Sequence, residues 1–82
     1  MNSKHRRTLE VVFTDPVSGA VAWADIESLL IAAGAPVIEG RGLRLVLGGE
    51  VGTFYRPHPA KEAKIYQLRE ARDFLERIGV FP

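Results

Sequence analysis

Cysteine is absent from this sequence. That excludes a disulfide framework and any zinc site built on thiolates. Histidine is scarce as well: His5 and His58 are the only two, which argues against a catalytic metal site. No apolar run approaches the roughly 20 residues that a membrane helix needs. The opening MNSKHRRTLE is charged and lacks the apolar stretch of a signal peptide. No internal repeat or low-complexity tract is present. These absences predict one small domain over residues 1–82, cytoplasmic, off the membrane, and without metal or cofactor. A chain of this length buries only a modest core and is marginally stable alone.

Charge is present but unevenly spread. The formal net charge is +1. Residues 10–40 carry five acids (Glu10, Asp15, Asp25, Glu27, Glu39) and no Lys or Arg. Residues 41–72 carry seven bases (Arg41, Arg44, Arg56, Lys61, Lys64, Arg69, Arg72) against three acids. Lys4, Arg6 and Arg7 add to the start. Such a split suggests a positive surface suited to phosphates. The plainer reading is that the charges solvate exposed faces.

The pattern of apolar residues predicts α+β structure. SKHRRTLEVVF reads as a short helix with Ser3 as candidate N-cap and Leu9, Val12 and Phe13 on one face. Asp15-Pro16 and Gly19 break it. WADIESLLIAAG is the clearest helix, with Ile26, Leu29, Leu30 and Ala33 at helical spacing and Gly34 after it. PVIEG, LRLVL and VGTFYR then read as strands over 35–39, 43–48 and 51–56. Leu43, Leu45 and Leu47 alternate with Arg44 and Val46, and the GGE stretch makes a tight hairpin. A last helix is expected from about residue 61 to 78. Ile65, Leu68, Ala71, Leu75 and Ile78 form its apolar stripe, and Arg69–Asp73, Arg72–Glu76 and Asp73–Arg77 are spaced as ion pairs on its outer side. The expected architecture is a three-stranded antiparallel sheet with two helices on one face, plus an N-terminal helix.

The order helix–strand–strand–strand–helix resembles that of double-stranded-RNA-binding domains and of the small HicA-type toxins. The residues that carry the second resemblance are WADIESLLIAAGA at 23–35, RPHPAKEAK at 56–64 and FLERIGV at 74–80, and the opening MNSKHRRTL is similar to that of a HicA-like subgroup. The resemblance implies the toxin of a type II toxin–antitoxin pair. Such a toxin acts on messenger RNA as a metal-independent endoribonuclease and is neutralised by a HicB-type antitoxin. One departure stands out. Where the main family has a glycine–serine–histidine turn with a catalytic histidine, this chain has Gly42-Leu43-Arg44. Arginine does not release its proton near neutral pH and cannot serve as general base. Arg44 can still hold a phosphate bidentately or stabilise transition-state charge.

His58, framed by Pro57 and Pro59, is then the candidate acid or base. Its ordinary pKa of about 6.5 suits either role, and the prolines restrict its backbone. The alternative is a turn residue whose ring bonds locally. Arg41, Arg44, Arg56, Lys61 and Lys64 are the candidate RNA contacts. Backbone and shape recognition of duplex RNA needs no interleaved aromatics. Trp23 reads as a core residue and His5 as a solvated one. Two other readings stay open: a HicA-like domain that binds RNA or antitoxin but has lost cleavage, and a protein-interaction module that uses no RNA.

Overall fold

The computed structural model describes residues 2–14, 21–39, 42–57 and 61–82. Three helices and three strands follow in the order α1 (Ser3–Val12), α2 (Trp23–Ala33), β1 (Ala35–Glu39), β2 (Gly42–Leu47), β3 (Glu50–Tyr55) and α3 (Ile65–Arg77). The strands form one antiparallel sheet in the order β1-β2-β3. Val37 stands opposite Arg44, and Arg44 opposite Thr53. The β2–β3 turn is two residues, Gly48 and Gly49, with φ of 58° and 84°. Both angles belong to a type I′ turn, whose twist matches that of the strands it joins. Glu50 therefore already pairs with Leu47, one residue earlier than the sequence suggested.

Only one face of the sheet is covered. Leu43 and Leu45 of β2 and Gly52 and Phe54 of β3 are buried, while Arg44, Val46, Val51, Thr53 and Tyr55 between them are exposed. The buried set meets Trp23, Ile26, Leu29 and Leu30 of α2 and Leu68, Ala71, Phe74 and Leu75 of α3. Phe54 lies edge-on to Phe74 with ring centroids 6.1 Å apart, the arrangement that aromatic quadrupoles prefer. Gly52 is required here: a β-carbon on it would come within 2.6 Å of the Phe74 ring. α1 completes the core with Leu9 and Val12.

Helix ends explain where sequence and structure differ. Asn2, not Ser3, caps α1: its side-chain oxygen accepts the His5 amide at 2.8 Å. At the other end Arg72 donates to the carbonyls of Val12 at 2.9 Å and Thr14 at 2.8 Å. Arg72 thus ties the end of α1 to α3 and does not form the expected pair with Glu76. α2 has no capping side chain. Its first amide, on Trp23, donates instead to the carbonyl of Lys61 at 2.9 Å, and the Ala63 amide donates to the carbonyl of Val21 at 2.7 Å. Because residues 61–63 are extended for this rung, α3 begins at Ile65, four residues later than expected. Ile65 consequently leaves the apolar stripe and is 48% exposed. α3 closes with bonds from Gly79 to Glu76 and from Val80 to Leu75. With Gly79 at φ 79°, this is a complete Schellman motif. Asp73 pairs with Arg77, as the spacing predicts. Arg69 has no hydrogen bond or ion pair among the described residues.

Two substitutions test this packing. Arg72→Ala is expected to lower unfolding free energy by about 2 kcal/mol, because it strands two carbonyls at the end of α1. Urea denaturation measures this, and a change below a few tenths would show that α1 is held by Leu9 and Val12 alone. Gly52→Ala is expected to cost about 1–3 kcal/mol through overpacking against Phe74. An unchanged thermal midpoint would contradict the close approach.

Candidate nucleic-acid interface

The chain leaves β3 at Tyr55 and returns to α2 within eight residues. Arg56 follows the last strand residue, and its Nε donates to Glu27 Oε1 on α2 at 2.7 Å. Trp23 Nε1 donates to the same oxygen at 3.3 Å. Trp23 is buried at the head of α2, as its place in the sequence predicts. Five residues after Arg56, Lys61 gives its carbonyl to the Trp23 amide. Arg56 and Lys61 therefore lie at the N-terminal half of α2, one held by a side chain and the other by backbone. His58, Pro59 and Ala60 fall between these anchors and lie outside the described residues, as does Arg41. The candidate acid–base residue His58 and the candidate RNA contact Arg41 thus both fall outside the described residues.

Arg56, one of the candidate RNA contacts, already has a carboxylate partner in Glu27. The hydrogen bond and then the charge of Glu27 raise its guanidinium above its usual range. A phosphate approaching Arg56 meets a cation already shared with a carboxylate. Lys61 and Lys64 are exposed. Lys64 stands at the N-cap of α3, where its amide donates to Gln67 Oε1 at 2.8 Å. Gln67 in turn donates through Nε2 to the carbonyl of Tyr55 at 2.8 Å. This buried amide fixes the start of α3 against the end of β3. The sequence holds half of its signal, a glutamine three residues after the cap, but a lysine replaces the usual Ser or Thr of a capping box.

Arg44 is placed elsewhere. It alternates with buried Leu43 and Leu45 and is exposed on the uncovered face of the sheet. Arg56 reaches α2, on the covered side. The structure thus brings Arg56, Lys61 and Lys64 to the α2–α3 junction and sets Arg44 on the opposite side of the sheet. Of Arg41, Arg44, Arg56 and Lys61, expected to share one positive surface, Arg56 and Lys61 are brought together at α2, Arg44 is not, and Arg41 lies outside the described residues.

His5 is a residue that the sequence reading misplaced. It is half-buried, not solvated. Its Nε2 lies 2.7 Å from Ser28 Oγ on α2, and its Nδ1 is buried without a partner among the described residues. Beside it Lys4 pairs with Asp25 at 3.2 Å. These contacts explain its position as a strut between α1 and α2. A periodic apolar pattern gives no signal for such a polar seam. Among the described residues no group of three or more His, Cys, Asp or Glu side chains could hold a metal ion, and no helix is long and apolar enough to cross a membrane.

Comparison of the chain with protein-family models, with curated proteins and with solved structures returns no match.

Proposed function

We propose that the chain is a HicA-like toxin domain with the double-stranded-RNA-binding-domain-like fold, acting on messenger RNA as a metal-independent ribonuclease and neutralised by a HicB-type antitoxin. One observation carries this reading. Elements α2-β1-β2-β3-α3 follow in the order that the motif resemblance implies, with exposed Lys61 and Lys64 at the junction where α2 and α3 meet. Those ammonium groups supply sequence-independent attraction for a phosphate backbone.

Cleavage without metal needs a base to take the proton of a ribose 2′-hydroxyl. The 2′-oxygen then attacks phosphorus, the 5′-oxygen leaves, and an acid returns a proton to it. His58 lies near the junction in sequence, and imidazole is the side-chain type suited to either proton transfer. Lys61 can stabilise the charge that accumulates on the phosphorus oxygens.

A second reading has its own observation. Arg44 occupies the position of the family's turn histidine, and Arg56 is shared with Glu27. A HicA-like domain that binds RNA or antitoxin without cutting fits those two facts.

Incubation of the purified protein with a structured RNA in EDTA separates the readings. Cleavage is expected, and His58→Ala is expected to lower its rate about 100-fold or more while leaving affinity intact. Cleavage that is indifferent to His58→Ala removes the proposed acid–base role. A parent that binds but never cuts establishes the second reading.

Binding is tested separately. Replacing both Lys61 and Lys64 by alanine is expected to weaken RNA affinity and to reduce the slope of log K against log salt by about 2. Filter binding at several salt concentrations reads this. An unchanged slope would move the RNA contact away from the α2–α3 junction.

A further inference from the structure

β3 is an edge strand, and its free side faces a groove beside α3. The type I′ turn makes Leu47 and Glu50 a hydrogen-bonded pair, so the ladder alternates from there. Glu50, Gly52 and Phe54 bond to β2, while the backbone N–H and C=O groups of Val51, Thr53 and Tyr55 point outward. Two observed bonds agree with this assignment. The carbonyl of Val51 accepts Arg77 Nη2 at 3.3 Å, and that of Tyr55 accepts Gln67 Nε2 at 2.8 Å. α3 therefore covers both ends of the edge with borrowed donors. Between them the N–H and C=O of Thr53 open onto a groove of about 160 Å³, bordered by Glu70, Asp73, Phe74 and Arg77.

The charge of this groove is defined. Arg77 is bonded to Asp73 and to Glu50 and stands 5.8 Å from the centre of the Phe74 ring. Glu70 is exposed and has no ion pair among the described residues. Two carboxylates thus hold the Arg77 guanidinium, and that of Glu70 borders the same groove. On the other side of the strand Val51 and Tyr55 are 53% and 67% exposed, an apolar continuation of the sheet face.

We propose that this edge is the docking site for an extended basic peptide segment of a protein partner, which adds to β3 as a fourth strand. Main-chain bonds to Thr53 supply register. Alternate side chains of the added strand then divide by chemistry, with Lys or Arg over Glu70 on the helix side and β-branched residues beside Val51 and Tyr55 on the other. A second copy of this chain fits less well. Two-fold pairing about Thr53 would bring both α3 helices to one seam, with Glu70 and Asp73 facing their counterparts. The groove shares no residue with the candidate RNA contacts, so the two sites are testable apart.

The probe is an acetylated, amidated seven-residue peptide of alternating lysine and valine, titrated into the full chain while amide shifts are followed by NMR. Saturable shifts at Val51, Thr53 and Tyr55 are expected. N-methylation of alternate peptide amides is expected to weaken binding about tenfold or more, the scale of one or two lost main-chain bonds. Glu70→Lys, an exposed helix substitution, is expected to weaken it to a similar degree, and the alternating glutamate–valine peptide is expected not to bind. Undiminished binding of the N-methylated peptide overturns strand addition. Absence of binding, or shifts confined to residues outside the groove, overturns the site. Self-association through β3 overturns the choice of occupant in favour of a second copy.

Discussion

Two backbone hydrogen bonds, from Trp23 to Lys61 and from Ala63 to Val21, set the geometry on which much of the molecule depends. They give α2 the acceptor that no side chain provides at its start. They hold residues 61–63 extended and so fix where α3 can begin. They also bring Lys61 and Lys64 beside Arg56, since the chain must cross from β3 to the head of α2 in a few residues. The candidate interface is therefore a product of backbone pairing between segments 40 residues apart, and its charged side chains are carried to their places by it.

The basic residues divide by what their local surroundings ask of them. Arg56, Arg72 and Arg77 each meet a fixed partner: a carboxylate, the last carbonyls of α1, or a strand edge. Guanidinium suits all three tasks because it presents several donors in a rigid plane. What remains exposed near the junction is lysine, whose compact charge binds phosphate without demanding a geometry. Within the basic stretch 41–72, Arg56 and Arg72 are thus devoted to internal bonds, and the surface left for a polyanion is smaller than composition implies.

Elements with a strong period were legible in the sequence. The alternation of Leu43 and Leu45 in β2 revealed one covered face, although Leu47, the third leucine of that pattern, is exposed beside the hairpin turn, and the spacing of Ile26, Leu29 and Leu30 located α2. The paired glycines marked the hairpin. What escaped notice lacks a period. Gln67 lies off the apolar stripe of α3, yet it is buried and satisfies the Lys64 amide and the Tyr55 carbonyl together. His5 looked solvated, yet it bridges to Ser28 across α1 and α2. The start of α3 was misjudged because helix propensity in KEAK competes with a backbone rung that only the fold supplies. For the candidate site, residue types were readable but grouping was not: Arg44 lies within β2 on the uncovered face, whereas Arg56 follows the end of β3 and is turned to the covered side by its bond to Glu27 of α2.

The two sheet edges follow from different devices. In β1, Pro36 stands opposite Leu45 at a position whose backbone nitrogen faces away from β2, so that edge lacks a donor where a new strand would seek one. In β3 no proline intervenes. Protection comes instead from Arg77 and Gln67, which occupy the outward carbonyls of Val51 and Tyr55 and leave their amides and the backbone groups of Thr53 without a partner among the described residues. A strand edge guarded only at its ends resists indiscriminate pairing with long flat strands, because α3 stands beside it and Arg77 crosses one end. It still accepts a short segment that reaches Thr53 and brings positive charge to Glu70. The same helix that buries Phe74 against Gly52 thereby determines which sequences can approach the sheet from that side.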